Sequence, residues 1–344
     1  MSGPLPTTRP PAAERDRKLE HIELSLDQRT QLDGRFFDRY ALRHEALPEI
    51  ALDDVELTTE LFGKTLAAPL LVSCMTGGTS SAATINQNLA RGAERAGIAL
   101  GVGSQRKALE SPETRDTFHV RDLAPSVPIL ANLGAVQLNY GFGIEQCRQA
   151  VRMVDADALA LHLNPLQEAI QPEGQCNFRD LLPQIGAIVR RLEVPVVVKE
   201  IGCGISGETG RALRAVGVEW IDTAGLGGTS WARIEAARAE DVPLGELFAD
   251  WGVPTPQSIR QLAAIDGVRV IGSGGVRNGV DAAKAIALGA EVVGLAQPFL
   301  KAAMVSADAV YERIQRVVHE LRIAMFCCGA RTLRDLRNVP LIER

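Results

Sequence analysis

At 344 residues the chain is long for one simple domain, but it fits a (β/α)8 barrel of about 250 residues with an extension at each end. Its composition, 46% hydrophobic and 23% charged, is that of an ordinary globular protein. The net charge of −5 excludes a global basic field for nucleic acid or anionic membrane, so any anion it binds must be held by local chemistry.

Residues up to about Ala13, rich in Pro, Thr and Gly, are expected to be disordered. The opening segment has no apolar signal-peptide core, and no apolar run reaches the roughly 18 residues of a membrane span. A soluble, cytoplasmic protein with no membrane or nucleic-acid partner is therefore expected. Arg17-Lys18-Leu19-Glu20-His21 precedes the repeating part and, taken alone, reads as a solvated charged helix face. The six cysteines (Cys74, Cys147, Cys176, Cys203, Cys327, Cys328) show no CxxC spacing and read as small hydrophobes in a reducing compartment.

From Ala67 onward, short apolar β-branched runs alternate with segments of helical periodicity, the mark of βα units. The pattern predicts strands at 69–74, 98–102, 128–133, 158–163, 194–199, 220–223, 268–273 and 292–295. Helices are predicted between them at 82–96, 112–123, 144–154, 178–192, 207–216, 256–264 and 281–287, followed by a closing helix near 298–305 and a further one at 308–326. The strands are apolar throughout rather than alternating, as parallel strands buried on both faces should be. A doubly wound open sheet is the competitor, but it seldom needs eight such units, and the glycines near the first strand do not spell G-x-G-x-x-G. The expected fold is a single TIM barrel over residues 14–344, the barrel proper at about 67–305, with an N-terminal extension and a C-terminal helix.

A TIM barrel carries its chemistry at the C-terminal ends of its strands, and polar residues interrupt the apolar pattern at those positions. The first strand ends in Cys74-Met75-Thr76-Gly77-Gly78, and the second leads to Gly103-Ser104-Gln105-Arg106. Asn132 ends the third, and His162-Leu163-Asn164-Pro165-Leu166-Gln167-Glu168 follows the fourth. Lys199-Glu200 ends the fifth, Gly227-Gly228-Thr229 follows the sixth, Ser273 to Arg277 the seventh, and Ala296-Gln297 the eighth.

Gly272 to Gly279 lets bare N–H groups approach an anion, with Arg277 adding charge and a helix start behind it, which reads as a phosphate site. Lys199 ends a buried apolar strand, so it must be desolvated, paired or aimed at a ligand. Pairing with adjacent Glu200 is poor strand geometry, and a cofactor-facing lysine that stabilises an anionic ring fits better. Met75-Thr76-Gly77-Gly78 and Gly227-Gly228-Thr229 suit a flat aromatic cofactor, although Met75 alone is more simply core. His162 and Asn164 are placed on one strand, facing the barrel mouth. Glu168 cannot make a metal site alone, but with a substrate diphosphate it can hold Mg2+.

These motifs resemble those of the type 2, FMN-dependent isopentenyl diphosphate isomerases. The match runs from Arg17 to about Arg331 and rests on Arg17-Lys18-x-x-His21, Met75-Thr76-Gly77-Gly78, Gly103-Ser104, the string His162 to Glu168, Lys199-Glu200, Gly227 to Trp231, Trp251-Gly252 and Gly274 to Arg277. The glycine loop is common to many phosphate barrels, whereas the string at 162–168 with the distant Arg-Lys pair is specific. The resemblance implies that FMN meets Cys74, Met75, Thr76, Ser104, Asn132, Lys199, Thr229, Gly275, Val276, Arg277, Ala296 and Gln297. It implies that Arg17, Lys18, His21, His162 and Asn164 bind the substrate, a prenyl diphosphate, with Gln167 beside the alkene and Glu168 on Mg2+. His162 and Gln167 are the expected catalytic residues.

The implied reaction interconverts isopentenyl and dimethylallyl diphosphate, a double-bond shift in isoprenoid biosynthesis. Reduced FMN acts as acid and base, NAD(P)H serves as reductant, and the chain forms a homo-oligomer, a tetramer or octamer. Two positions depart from the pattern: Ala224 stands where many members have Ser, and Ala296-Gln297 where Ser-Arg is also found. The rivals are an FMN oxidoreductase of the 2-hydroxy-acid or IMP dehydrogenase kind, which has no use for Glu168 with Arg17-Lys18, and a non-enzymatic flavin- or phosphate-binding barrel.

Overall fold

Eight short runs of buried aliphatic residues lie side by side in parallel, and the last pairs with the first. The computed structural model describes residues 17–32 and 36–344; the disorder expected up to Ala13 lies outside the described residues. Three outer strands come first, β1 (Tyr40–Leu42), β2 (Thr59–Leu61) and β3 (Lys64–Leu66). The barrel strands follow as β4 (Leu70–Val72), β5 (Ala99–Gly101), β6 (Ile129–Gly134), β7 (Ala158–His162), β8 (Val196–Lys199), β9 (Trp220–Asp222), β10 (Arg269–Ser273) and β11 (Val292–Leu295). They close in sequence order, β11 pairing with β4, as a TIM barrel requires. A final strand, β12 (Leu341–Glu343), pairs antiparallel with β1, and β2 with β3.

The helices, in chain order, are α1 (Arg17–Leu26), α2 (Ser80–Ala96), α3 (Arg106–Glu110), α4 (Ile144–Met153), α5 (Pro165–Ile170), α6 (Leu181–Arg191) and α7 (Gly207–Ala215). They continue as α8 (Trp231–Arg238), α9 (Val242–Leu247), α10 (Thr255–Ala263), α11 (Gly279–Ala287), α12 (Gln297–Ala303), α13 (Ala307–Phe326) and α14 (Leu333–Arg337). Local chemistry sets their ends. Thr79 caps α2 by accepting from the Ala82 N–H, and Gly97, in the left-handed conformation, stops it. Ser306 caps α13 in the same way. Among the described residues no helix is long and apolar enough to cross a membrane.

The structure corrects the sequence reading in three places. The helix expected at 112–123 is instead α3 followed by 3-10 turns at Pro112–Phe118 and Arg121–Leu123. That segment spends its polar groups on its neighbours: Thr117 Oγ1 accepts from the Gly78 N–H at 2.8 Å, and the Thr117 carbonyl accepts from Asn86 Nδ2 at 2.9 Å. Bonds of that kind replace the helical ladder. Asn164, expected on a strand with His162, lies beyond β7 and caps α5, where Pro165 occupies the first helical turn. Helices α8 and α9, between β9 and β10, have no counterpart in the expected pattern.

Helix α13 holds the repeat closed from outside by packing on α2 and α11. At Gly279 a Cβ would lie 2.3 Å from the Leu321 amide nitrogen and 2.4 Å from the Val317 carbonyl oxygen. Backbone cannot step aside as a side chain can, so Gly279→Ala is expected to destabilise the fold by about 1–3 kcal/mol. Urea unfolding of the two proteins measures this, and an unchanged midpoint would show that α13 yields.

Candidate functional site

The residues singled out in the sequence line one cavity at the C-terminal mouth of the barrel: Arg17, Lys18 and His21 from α1; Cys74, Met75 and Thr76 after β4; Ser104 after β5; Asn132 and His162 on β6 and β7; Asn164, Gln167 and Glu168 at α5; Lys199 on β8; Thr229 before α8; Gly275, Val276 and Arg277 after β10; Ala296 and Gln297 after β11. Strand ends place Cys74, Ser104, Asn132, His162, Lys199 and the turns after β10 and β11, whereas α1, α5 and the segment before α8 bring the rest.

One end of the cavity is mostly backbone. Gly275 adopts φ +71°, and a Cβ there would stand 2.3 Å from the Gly227 carbonyl oxygen, so the 227–228 and 274–275 segments touch only because both are glycines. Asn278 caps α11 by accepting from the Asp281 N–H. The Arg277 guanidinium donates to the carbonyls of Leu32 (2.9 Å) and Gly227 (3.0 Å), which fixes its fork and leaves further N–H donors for an anion. Bare backbone N–H groups beside a partly committed guanidinium are chemistry suited to an anion, and the start of α12 at Ala296-Gln297 lines the same cavity.

The middle of the cavity suits a flat polar ring. Ser73 Oγ and Thr76 Oγ1 are buried without a hydrogen-bond partner, as hydroxyls awaiting a ligand would be. Burial pushes the Cys74 thiol up to about 11 despite nearby Lys199, so it is a neutral lining group rather than a nucleophile. Lys199 is buried and donates to the Glu200 carbonyl, while the Glu200 carboxylate turns away to accept from the N–H groups of Ile201 (2.7 Å), Gly202 (2.7 Å) and Cys203. Thr229 Oγ1 shares hydrogen bonds with Gln31, whose backbone also bridges to Thr229. Orphaned hydroxyls, a buried cation and bare glycine backbone together fit a planar cofactor with a phosphate tail.

The other end is rich in side chains. His162 Nδ1–H donates to Asn132 Oδ1 at 2.8 Å, leaving the Nε2 lone pair free to accept. Burial, then the positive charges of Lys199, Lys18 and Arg17, hold the imidazole down to about 3, so it is neutral. Asn164 Nδ2 donates to Gln167 Oε1 and to Glu168 Oε1, both at 2.9 Å. Glu168 Oε2 accepts from Gln171 Nε2 and from the Gln175 N–H. Gln167 Nε2 donates to Glu235 Oε1 at 2.7 Å. His21 Nε2 lies 2.9 Å from the same oxygen but out of line for a hydrogen bond, and its ring meets Trp231 edge-on at 5.1 Å. No cluster of three His, Cys, Asp or Glu side chains is found among the described residues, so a cation at Glu168 would need ligands from a substrate and water.

Sequence reasoning missed Gln31, Arg106, Gln171, Trp231 and Glu235. Arg106, two residues past Ser104, lines the cavity and ion-pairs with Glu110 at 2.9 Å; its place after a strand end was the available signal. Glu235 carries no sequence signal, because it sits on the unanticipated α8.

Residues 25–114 and 160–342 match the family of FMN-dependent dehydrogenases. An isopentenyl-diphosphate delta-isomerase of Nostoc sp. (strain PCC 7120) is 47% identical over 345 residues, spanning 98% of this chain and 99% of its own length. The Synechocystis sp. (strain PCC 6803) protein of the same name is 49% identical over 334 residues, spanning 95% of this chain and 96% of its own length. The chain belongs to the type 2 isopentenyl-diphosphate delta-isomerase family. Among solved structures, a mandelate oxidase mutant with a monooxide FMN adduct superposes with a TM-score of 0.64 at 19% identity, covering 94% of this chain and 92% of its own. A second, with (S)-mandelic acid, gives 0.66 at 18%, covering 95% and 93%. At that identity the likeness carries the barrel fold and nothing further.

His162 yields a pH prediction. Its proton affinity is lower folded than unfolded, so the unfolded chain binds more protons between pH 6.5 and about 3. The neutral imidazole therefore costs nothing above pH 6.5, and stability falls as pH drops through that window. The 15N shifts of His162 should stay those of a neutral Nδ1–H tautomer from pH 8 to pH 5. Titration near 6.5 would mean that the ring is solvated.

Proposed function

We propose that this isomerase-family chain interconverts isopentenyl and dimethylallyl diphosphate with reduced FMN and Mg2+ in the one cavity. The observation that carries the reading is the lining of the one cavity, which brings together two cationic groups: the glycine backbone with Arg277, and Arg17 and Lys18 with Arg106. One cofactor phosphate and one substrate diphosphate account for both. The substrate of a 2-hydroxy-acid dehydrogenase is also an anion, but a single carboxylate has no use for Glu168 beside Arg17 and Lys18.

In this reading Cys74, Met75, Thr76, Ser104, Asn132, Lys199 and Thr229 would hold the FMN ring, and Gly275, Val276, Arg277, Ala296 and Gln297 its phosphate. Reduced FMN supplies the acid–base chemistry when bound, with NAD(P)H as reductant and no net oxidation. Arg17, Lys18 and His21 would orient the diphosphate as donors, while neutral His162 and Asn164, with Nδ1–H given to Asn132 and Nδ2 to Gln167 and Glu168, would meet the substrate through acceptor atoms or bound water. Gln167, its amide fixed between Asn164 and Glu235, stands at the hydrocarbon. Glu168 would offer its carboxylate to Mg2+, whose other ligands would come from substrate and water. A soluble cytoplasmic homo-oligomer, tetramer or octamer, completes the proposal.

Activity should require reduced flavin without consuming reductant. In anaerobic assays, product formed per NAD(P)H oxidised should rise far above one; a ratio that stays at one identifies an oxidoreductase.

Glu168→Gln separates the metal role from a structural one. Amide oxygen is a weaker ligand for a hard dication, so the variant should need more Mg2+ and turn over about tenfold more slowly or worse. The measurement is rate against Mg2+ concentration beside the flavin spectrum. Superimposable curves remove Glu168 from the metal, and loss of flavin absorbance marks a purely structural role.

A further inference from the structure

Behind the proposed flavin site lies a carboxylate that the reaction as described does not use. Asp222 ends β9 and is 2% exposed, with no place in the cavity lining. The barrel register sets it directly beside Lys199 on β8, and Lys199 directly beside His162 on β7. Three titratable side chains thus stand abreast in one layer at the mouth of the barrel. Asp222 Oδ1 accepts from Ser273 Oγ and, at 3.3 Å, from the Ala224 N–H. Ser273 and Ala224 both line the cavity, so the carboxylate sits one residue behind the wall. Burial pushes its carboxyl up, and Lys199, then the Ser273 hydroxyl, oppose that. Glu200, the other buried carboxylate that feels Lys199, is already held by three backbone N–H groups, whereas Asp222 is held by one hydroxyl and one N–H.

We propose that Asp222 is a positioning residue that tempers Lys199, limiting how strongly the site favours an anionic reduced ring over the neutral oxidised one. The inference rests on the reading of Lys199 as facing FMN. The chemistry gives a reason for such a counter-charge. A ring that must both give and take a proton works when its protonation states are close in energy. An uncompensated buried ammonium beside it would hold the anion and reduce its basicity, since an opposite charge at short range favours the charged form. A carboxylate beside a buried lysine in the barrel register presents a counter-charge in a low-dielectric wall, where even unpaired charges at short range act strongly.

The experiment uses the holoprotein and reads the flavin rather than turnover. The midpoint reduction potential of bound FMN, with the dissociation constants of oxidised and reduced FMN, is measured for the native protein, Asp222→Asn and Lys199→Gln. Asparagine keeps an oxygen for Ser273 and Ala224, so a structural Asp222 would leave the potential unmoved. The expected result is that Asp222→Asn shifts the affinity ratio toward reduced FMN by about tenfold, a rise of about 30 mV for a two-electron couple, while Lys199→Gln moves it the other way. An Asp222→Asn potential equal to or below native, with Lys199→Gln lowered, overturns the proposal and leaves Lys199 in place. No change in Lys199→Gln overturns the reading of Lys199 itself, and with it this inference. If Asp222→Asn does not fold, Ser273→Ala is read instead: removing the donor that supports the ionised carboxylate should raise the potential, and an unchanged or lower value overturns the proposal.

Discussion

Glu235 has no exposed side-chain surface, and three separate segments depend on its charge. Burial alone would raise its pKa, but His21, Gln167 and Arg238 draw it down to about 2. Arg238 also pairs with Glu20 at 3.1 Å and Glu173 at 2.9 Å, and Glu173 stands 3.6 Å from Arg17. The carboxylate therefore ties α1 to α8 and both to α5. A buried charge is tolerated only while its partners remain, and removing one typically costs about 3–5 kcal/mol. The position of the basic N-terminal helix over the mouth is thus set by ion pairs that a solvated helix face would not make, which corrects the bland reading of residues 17–21. The same carboxylate commits Gln167 Nε2, while Asn164 Nδ2 commits Gln167 Oε1, so the amide cannot rotate freely.

An acidic chain gathers its cations where they act. Arg17, Lys18, Arg106, Lys199 and Arg277 all face one cavity in a protein of net charge −5. Burial, then the charges of Lys199, Lys18 and Arg17, keeps His162 neutral, so the cavity's positive charge is carried by its lysine and arginine side chains. Charge-assisted donors and backbone N–H groups can then discriminate by geometry rather than by net attraction.

The barrel was legible because its signals are short-range. Each strand is a buried run bounded by a polar residue, and the eight runs appear within a residue or two of where the apolar pattern places them. Residues named at strand ends converge for the same reason: a closed barrel brings all eight C-terminal ends to one rim. What escaped depends on contacts distant in sequence. The 112–123 segment carries helical periodicity, but its hydrogen bonds go to Gly78 and Asn86. Asn164 looked like a strand residue because a cap and a strand end both follow an apolar run, and only Pro165 hinted at the difference. Glu235 was invisible because its partners, His21 and Gln167, are remote in the chain.

These origins divide the cavity along its length. The glycine-rich end with Arg277 comes from β10, β11 and the turns after them, within the βα repeat, in a barrel fold shared with the mandelate oxidases. The side-chain end comes from elements that interrupt or precede the repeat: α1 before the barrel, α5 interposed after β7, and α8 inserted after β9. A barrel can change its loops without losing its core, because the strands close on one another whatever the loops do. Chemistry that distinguishes one member from another should therefore sit on such insertions. Here three of them meet at a single buried carboxylate, so the specialised end is held as one unit instead of three independent loops. Its precision comes from Glu235 and its partners, whereas that of the glycine-rich end comes from the barrel.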